Sequence, residues 1–206
     1  MDESKTYIKI LSGTPIGDIV IIWSKNEKFL IEEIILSNPD KTSIEIANEK
    51  YPNLIKAKKT PKKLKKIIKE LKKYFNEKEA KFSLDYLNME KLTDFQREVL
   101  TTQFNIKKGK INTYASLAKL IDRPKAYRSV GSALARNPFP IIIPCHRTVK
   151  SDRTLGGFGG YKTGLDSKQI LLEIEGIEVE GRRVISENHI LSLDKKKQTK
   201  ITSYKK

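Results

Sequence analysis

Residues 139–148, FPIIIPCHRT, restrict what this chain can fold into more than any other stretch. Pro140 and Pro144 disfavour helix in the residues that precede them, because the proline ring clashes with the backbone before it. An apolar run between two such stops predicts an extended, buried segment that ends sharply at Cys145. The only cysteine of the chain therefore falls at the end of a rigid element, with His146 and Arg147 directly after it. A thiol becomes a nucleophile when a base or positive charge favours its thiolate, and these two neighbours are candidates. Adjacent side chains in an extended segment diverge, so His146 is expected to reach the sulfur through a bridging water. Without further context the pair fits an inert core cysteine and a structural histidine somewhat better than a reactive centre.

The residues just upstream supply context. TYASLAKLIDRPKAYRSVGSALARNP reads as two helices and a tight turn, with Thr113 as the cap of the first and Pro124 where the second would start. That is helix-turn-helix spacing. On the second helix Ala126, Val130, Ala133 and Leu134 share one face, while Arg128, Ser132 and Arg136 recur every four residues on another. Ser129, Gly131 and Ser132 let the backbone approach another surface closely. This suits a minor groove, ~6 Å wide, better than base reading in the major groove. The alternative is an ordinary helical hairpin whose small residues serve packing.

The first third alternates apolar and polar residues in TYIKILS, GDIVIIWS and FLIEEIILS, which predicts strands of a small sheet. TPKKLKKIIKELKKYF then predicts a helix with Thr60 as cap and Pro61 at its first position, one face apolar and the other lysine. That lysine face is either a solvated surface, the commoner arrangement, or a polyanion contact. A second unit begins near Leu92, with Thr93 as a cap, and the boundary falls between Asn88 and Lys91. The expected fold class is α+β: a small N-terminal mixed α/β sheet domain, 1–90, then a mostly helical C-terminal domain, 91–185, with a winged-helix-like helix-turn-helix. Residues 186–206 are expected to be a basic tail that adds non-specific phosphate affinity.

Charge and cysteine usage narrow the function. The 41 Lys and Arg against 25 Asp and Glu give a formal +16 and a pI near 9.7, which favours polyanionic partners. Lys-rich surfaces also arise from genome composition or thermal adaptation, so charge does not decide the matter. One cysteine excludes an internal disulfide and a multi-cysteine zinc site, and no metal is implied. No secretory pattern and no apolar run of ~20 residues is present, so a soluble cytoplasmic protein without membrane contact is expected. The cluster GGFGG fits neither a dinucleotide fingerprint nor a P-loop, and no organic cofactor is expected.

NPFPIIIPCHRT, preceded by TYASLAKLIDRPKAYRSVGSALAR, closely resembles the O6-alkylguanine-DNA alkyltransferases. The specific elements are P-C-H-R, N-P a few residues upstream, and R-x-V-G-x-A before it. The match runs from about Leu92 to Gly176, and TPIGDIVIIWS with LKKYF resembles the family's N-terminal domain, which is ribonuclease H-like. The resemblance implies direct repair of double-stranded DNA containing O6-alkylguanine, and less efficiently O4-alkylthymine, by a monomer that takes the alkyl group onto Cys145. By motif position Arg128 would fill the vacated base stack, and Tyr114 would help displace the base and hydrogen-bond its N3. Asn137 would shape the hinge to the active-site strand. His146 would accept the thiol proton through water, with Glu175 orienting the imidazole. Gln96, Ala115, Arg123 and Ser151 occupy further DNA-contacting positions, and Gly159 and Lys168 belong to the substrate pocket. The thioether product has no easily displaced sulfur, which implies one event per molecule.

Three positions and one segment depart from the family pattern. Tyr127 stands where a small residue is usual, Gly159 lacks a hydroxyl found in some relatives, YKTGLD is a longer connection, and Thr148 replaces a common valine. Two rival functions use the same residues: a helix-turn-helix regulator with a dispensable Cys145, and a thiol hydrolase that turns over without DNA.

Overall fold

An apolar run of five, Ile19 to Trp23, sets the centre of the N-terminal half, because all five side chains are buried and a strand achieves that only with cover on both faces. The structure is a computed structural model that describes residues 5–25, 27–159 and 165–185. The chain divides into two compact units, Met1–Lys91 with Pro138–Ile142, and Leu92–Asn137 with Ile143–Lys206. The expected basic tail and most of the YKTGLD connection lie outside the described residues.

In the first unit β1 (Thr6–Thr14), β2 (Gly17–Lys25) and β3 (Phe29–Leu36) form an antiparallel meander. The helix α1 (Ser43–Lys50) follows, held at its start by a reciprocal cap between Thr42 and Glu45. A short β4 (Ile55–Lys56) then adds parallel to β1, giving the order β3-β2-β1-β4. Ala47 of α1 closes one sheet face with Val20, Ile22 and Ile35. Next comes α2 (Lys62–Phe75), which buries Leu64, Ile67, Leu71 and Tyr74 at helical spacing. It starts at Lys62, with Pro61 rather than Thr60 in the cap position and no side-chain cap bond.

The proline segment differs from the extended run read from the sequence. Ile141 takes a positive φ of 73° within a turn, and Cys145 opens a short 3-10 turn, Cys145–Arg147, instead of ending a strand. Prolines exclude helix without specifying strand. A positive φ at a β-branched residue costs about 1–3 kcal/mol, which complete burial of Ile141, Ile142 and Ile143 offsets. Within the first unit, Ile34 N–H donates to Pro138 O at 2.8 Å.

The second unit runs through α3 (Asp94–Phe104), β5 (Asn112–Thr113), α4 (Tyr114–Leu120) and α5 (Tyr127–Ala135). It continues with β6 (Thr148–Val149), α6 (Leu165–Ile174), β7 (Val179–Glu180) and β8 (Arg183–Val184). Parallel pairing of β5 with β6 sets Asn112 opposite Thr148, and β7 and β8 form a hairpin. Ile111, Val149, Leu155, Leu172, Ile177 and Val184 make the core beneath them. Thr93 caps α3 through the Gln96 amide, and Thr113 caps α4 through Ser116, as the sequence predicts. Pro124, in contrast, lies in a turn that Ala126 N–H closes onto Arg123 O, and α5 begins three residues later at Tyr127. Among the described residues no helix is long and apolar enough to cross a membrane.

Because α4 has only seven residues, its cap carries a large share of its stability. Thr113→Ala is expected to lower the unfolding free energy by about 1 kcal/mol in a urea titration; no change would show that tertiary packing alone holds this helix.

Candidate active site and nucleic-acid face

The 3-10 turn throws three consecutive side chains inward, since Cys145, His146 and Arg147 are all buried. Two backbone bonds define it, Arg147 N–H to Pro144 O at 3.0 Å and Thr148 N–H to Cys145 O, and Cys145 N–H to Ile143 O at 2.8 Å leads into it. Asn137, just past the end of α5, donates from Nδ2 both to Ile143 O at 2.9 Å and to Cys145 Sγ at 3.3 Å. A residue just past the end of α5 thereby touches the sulfur directly.

Behind the turn lies a buried carboxylate. Glu175 follows α6 and accepts at Oε1 from His146 Nε2, 2.7 Å away. It is also forked by Arg147, with Nε 2.8 Å from Oε2 and Nη2 2.9 Å from Oε1. Arg147 Nη1 donates further to Ile106 O, and the Gly109 amide donates to Glu175 Oε2 at 3.2 Å. Burial would raise the Glu175 carboxyl, yet His146 and Arg147 together hold it well below its ordinary range, so it is ionised. Burial pushes His146 below its ordinary value even though Glu175 pulls the other way, so the resting imidazole is neutral.

The thiol is raised by burial, against the lowering effects of Asn137 Nδ2, the Lys168 charge and the backbone N–H groups of Cys145 and His146. At rest it is a protonated thiol with anion-stabilising groups already in place. Lys168 is fully buried on α6 and donates to Thr148 O at 2.6 Å and to Leu155 O. Desolvation pushes it down to about 7, in part offset by Cys145. Tyr114, the first residue of α4, is pushed up to about 12 by burial and then by the Cys145 charge, so its hydroxyl stays a donor.

Three supporting residues, Gln103, Asn112 and Gly156, were not singled out from the sequence. Gln103, buried on α3, donates to Pro144 O at 2.7 Å and accepts from Asn112 Nδ2 at 3.3 Å. The Thr148 hydroxyl lies 2.8 Å from Gln103 Oε1 and 2.7 Å from Asn112 Oδ1, so the extra oxygen at this position enters a buried polar cluster. The available signal was a glutamine at an inward position of an amphipathic helix. Gly156 is the third: at φ +67°, a Cβ there would sit 3.0 Å from the Tyr114 hydroxyl oxygen.

On the outer face Arg128, Ser129, Ser132 and Arg136 are exposed, and Ala115 is partly so. Tyr127, 45 % exposed, carries the Arg128 guanidinium 5.8 Å above its ring. Gly131 faces the Tyr114 ring, where an added Cβ would lie at 3.7 Å. Gln96 donates to Arg136 O at 2.9 Å, satisfying a carbonyl at the end of α5. Arg123 pairs with Glu98 at 3.2 Å and lies over the Phe95 ring. Ser151 and Gly159 are exposed in the loop after β6. The described residues thus gather Cys145, His146, Glu175, Tyr114, Asn137 and Lys168 around the turn, and spread the remaining candidates over the surface. Among the described residues no group of three His, Cys, Asp or Glu could hold a metal ion.

Residues 94–177 match the family model described as 6-O-methylguanine DNA methyltransferase, DNA binding domain. The methylated-DNA–protein-cysteine methyltransferase of Methanothermobacter thermautotrophicus is 34% identical over 168 residues, covering 82% of this chain and 85% of the relative. The constitutive enzyme of that name from Bacillus subtilis is 34% identical, over 80% of this chain and 92% of its own. Among solved structures, the Mycobacterium tuberculosis O6-methylguanine methyltransferase superposes with a TM-score of 0.64 at 26% identity, over 82% and 92% of the two chains.

Removing the buried carboxylate strands two basic side chains. Glu175→Ala is expected to destabilise the protein by about 3–5 kcal/mol in denaturant unfolding, and a loss under about 1 kcal/mol would contradict the ionised assignment. Because the folded-state pKa is depressed, its stabilisation is complete above the ordinary value of 4.5 and is lost as pH falls below it. Glu175→Gln should therefore flatten the acid limb of a stability-against-pH curve.

Proposed function

The chain belongs to the methylated-DNA–protein-cysteine methyltransferase family, and we propose that it repairs O6-alkylguanine, with O4-alkylthymine as a poorer substrate, by moving the alkyl group onto its own Cys145. The observation that carries this reading is the shared position of a buried thiol, its Asn137 contact and the ionised Glu175 behind His146. The chemistry belongs to the domain of residues 91–185, acting as a cytoplasmic monomer on duplex DNA.

The helix-turn-helix lies along the minor groove through Ala115, Arg123, Ser129, Gly131 and Ser132, with Gln96 and Ser151 beside it. Extruding a base costs a few kcal/mol, less where alkylation has weakened pairing, so extrusion itself favours damage. Arg128, presented above Tyr127, fills the vacated stack. In the pocket the thiol proton passes through a water to His146. Glu175 already engages Nε2, so Nδ1 is the accepting atom. Burial makes a lone imidazolium costly, and the adjacent carboxylate offsets that cost. The thiolate attacks the alkyl carbon, the S–C bond forms and the C–O6 bond breaks. The released electron pair stays on guanine, where the Tyr114 hydroxyl donates to N3 and the Gly159 N–H faces O6. Asn137, Gln103, Thr148 and Lys168 act as positioning residues, tying the turn to α5, α3 and α6. The thioether has no leaving group for thiol exchange, so each molecule acts once.

A duplex carrying labelled O6-methylguanine tests this directly. One label per protein molecule, absent in Cys145→Ala, is the expected result; DNA binding with no label on the protein would favour a regulator, and repeated turnover a hydrolase. Arg128→Ala should slow repair in duplex DNA far more than reaction with free O6-benzylguanine, since a free base needs no extrusion; equal losses would reject its role. With free O6-benzylguanine the rate should still hold at pH 6.5 and drop only at lower pH, because His146 is depressed from its ordinary 6.5 and must be neutral to accept the proton.

A further inference from the structure

Between Lys56 and Lys73 the chain carries ten lysines and one glutamate, a net +9 out of the +16 of the whole protein. This charge lies in the first unit, whereas the helix-turn-helix is in the second. We propose that the outer face of α2 is a separate binding surface for the phosphate backbone of duplex DNA. The proposal rests on DNA being the partner, and not on the alkyl-transfer chemistry.

The arrangement is ordered. Lys62, Lys65, Lys66, Lys69 and Lys72 recur at three- and four-residue intervals, so they fall within one arc of about 120° on the side opposite Leu64, Ile67 and Leu71. All five are exposed, and none is in an ion pair among the described residues. The only carboxylate of the helix is withdrawn from that face: Glu70 is buried and accepts from Lys73 Nζ at 2.8 Å and from the Lys81 amide at 2.8 Å. The stripe therefore presents uncompensated charge along about 15 Å of helix. Duplex DNA offers one phosphate charge per ~1.7 Å of axis, an extended repeating anion that such a row can follow without reading bases.

Two further points choose this partner over a lipid surface. The apolar face of α2 is committed to the core, so the helix has nothing to insert below the headgroups. The matched DNA-binding domain already brings the protein to duplex DNA, and a second phosphate contact raises residence without new specificity.

The test uses the full chain with Lys62, Lys65, Lys66, Lys69 and Lys72 changed to Gln, binding an undamaged duplex over a range of salt. A comparison variant removes five exposed lysines elsewhere in the same unit: Lys5, Lys25, Lys28, Lys41 and Lys50 to Gln. Loss of about three phosphate contacts should reduce the slope of log K against log salt by about 2.7 in the stripe variant. Changing the same five lysines to Arg should leave the slope intact. An unchanged slope overturns the proposal, and so does an equal loss in both Gln variants, which would reflect net charge alone. Phosphatidylserine vesicle binding that falls in the stripe variant while the DNA slope stays constant overturns it in favour of a membrane. Reaction with free O6-benzylguanine should be equal in all forms. Its absence in the parent would count against the repair reading and leave the DNA measurement standing.

Discussion

The buried carboxylate of Glu175 is the interaction on which the reactive half of the molecule depends. It is placed by the end of α6, and it holds two consecutive residues of the turn that carries the thiol. A carboxylate removed from water is costly unless its lone pairs are filled. Here a guanidinium fork, an imidazole and a backbone amide fill them. The same bonds that make the ion tolerable also orient His146, so stability and chemistry rest on one group. Breaking it would strand the buried side chains of His146 and Arg147 without their counter-charge.

A second set of contacts ties the turn to α3 and to the end of α5. Asn137 lies just past α5 and touches both Ile143 O and the sulfur, while Gln103 holds Pro144 O from α3. Tyr114 begins α4 under the Thr113 cap and has Gly156 against its hydroxyl. The helices α3 and α4, and the residue that follows the cap of α5, therefore each contribute one polar group to the neighbourhood of Cys145. The turn that carries the thiol is thus tied to its neighbouring helices by side-chain hydrogen bonds from Asn137 and Gln103.

Pattern carried much of the architecture. The alternation in the first third, the caps at Thr93 and Thr113 and the inward faces of α2 and α5 were all legible, because periodicity and capping are local. Besides the expected Thr60 cap, where Pro61 takes the position, two local readings failed for an equally local reason. Pro124 predicts a helix start only if the residues after it can be helical at once, and here the turn from Asp122 to Ala126 intervenes. Pro140 and Pro144 exclude helix, but the choice between strand and turn belongs to packing, which took Ile141 into the left-handed region. Gln103 and Gly156 escaped notice because their value lies in partners 41 residues away or in one ring edge.

The amino-acid sequence by itself determined which chemistry was possible. One cysteine between a proline and a histidine, a small-residue helix ahead of it and a strongly basic balance offered a candidate thiol, a candidate base and a lean toward polyanions, with an inert cysteine and a solvated lysine surface still open. Only the tertiary structure decided the state of those groups. His146 is neutral and Glu175 ionised because one is desolvated with a single counter-charge while the other is held by several donors. Such differences depend on burial and on distances of about 3 Å between residues far apart in the chain. No pattern of neighbours along a sequence contains them.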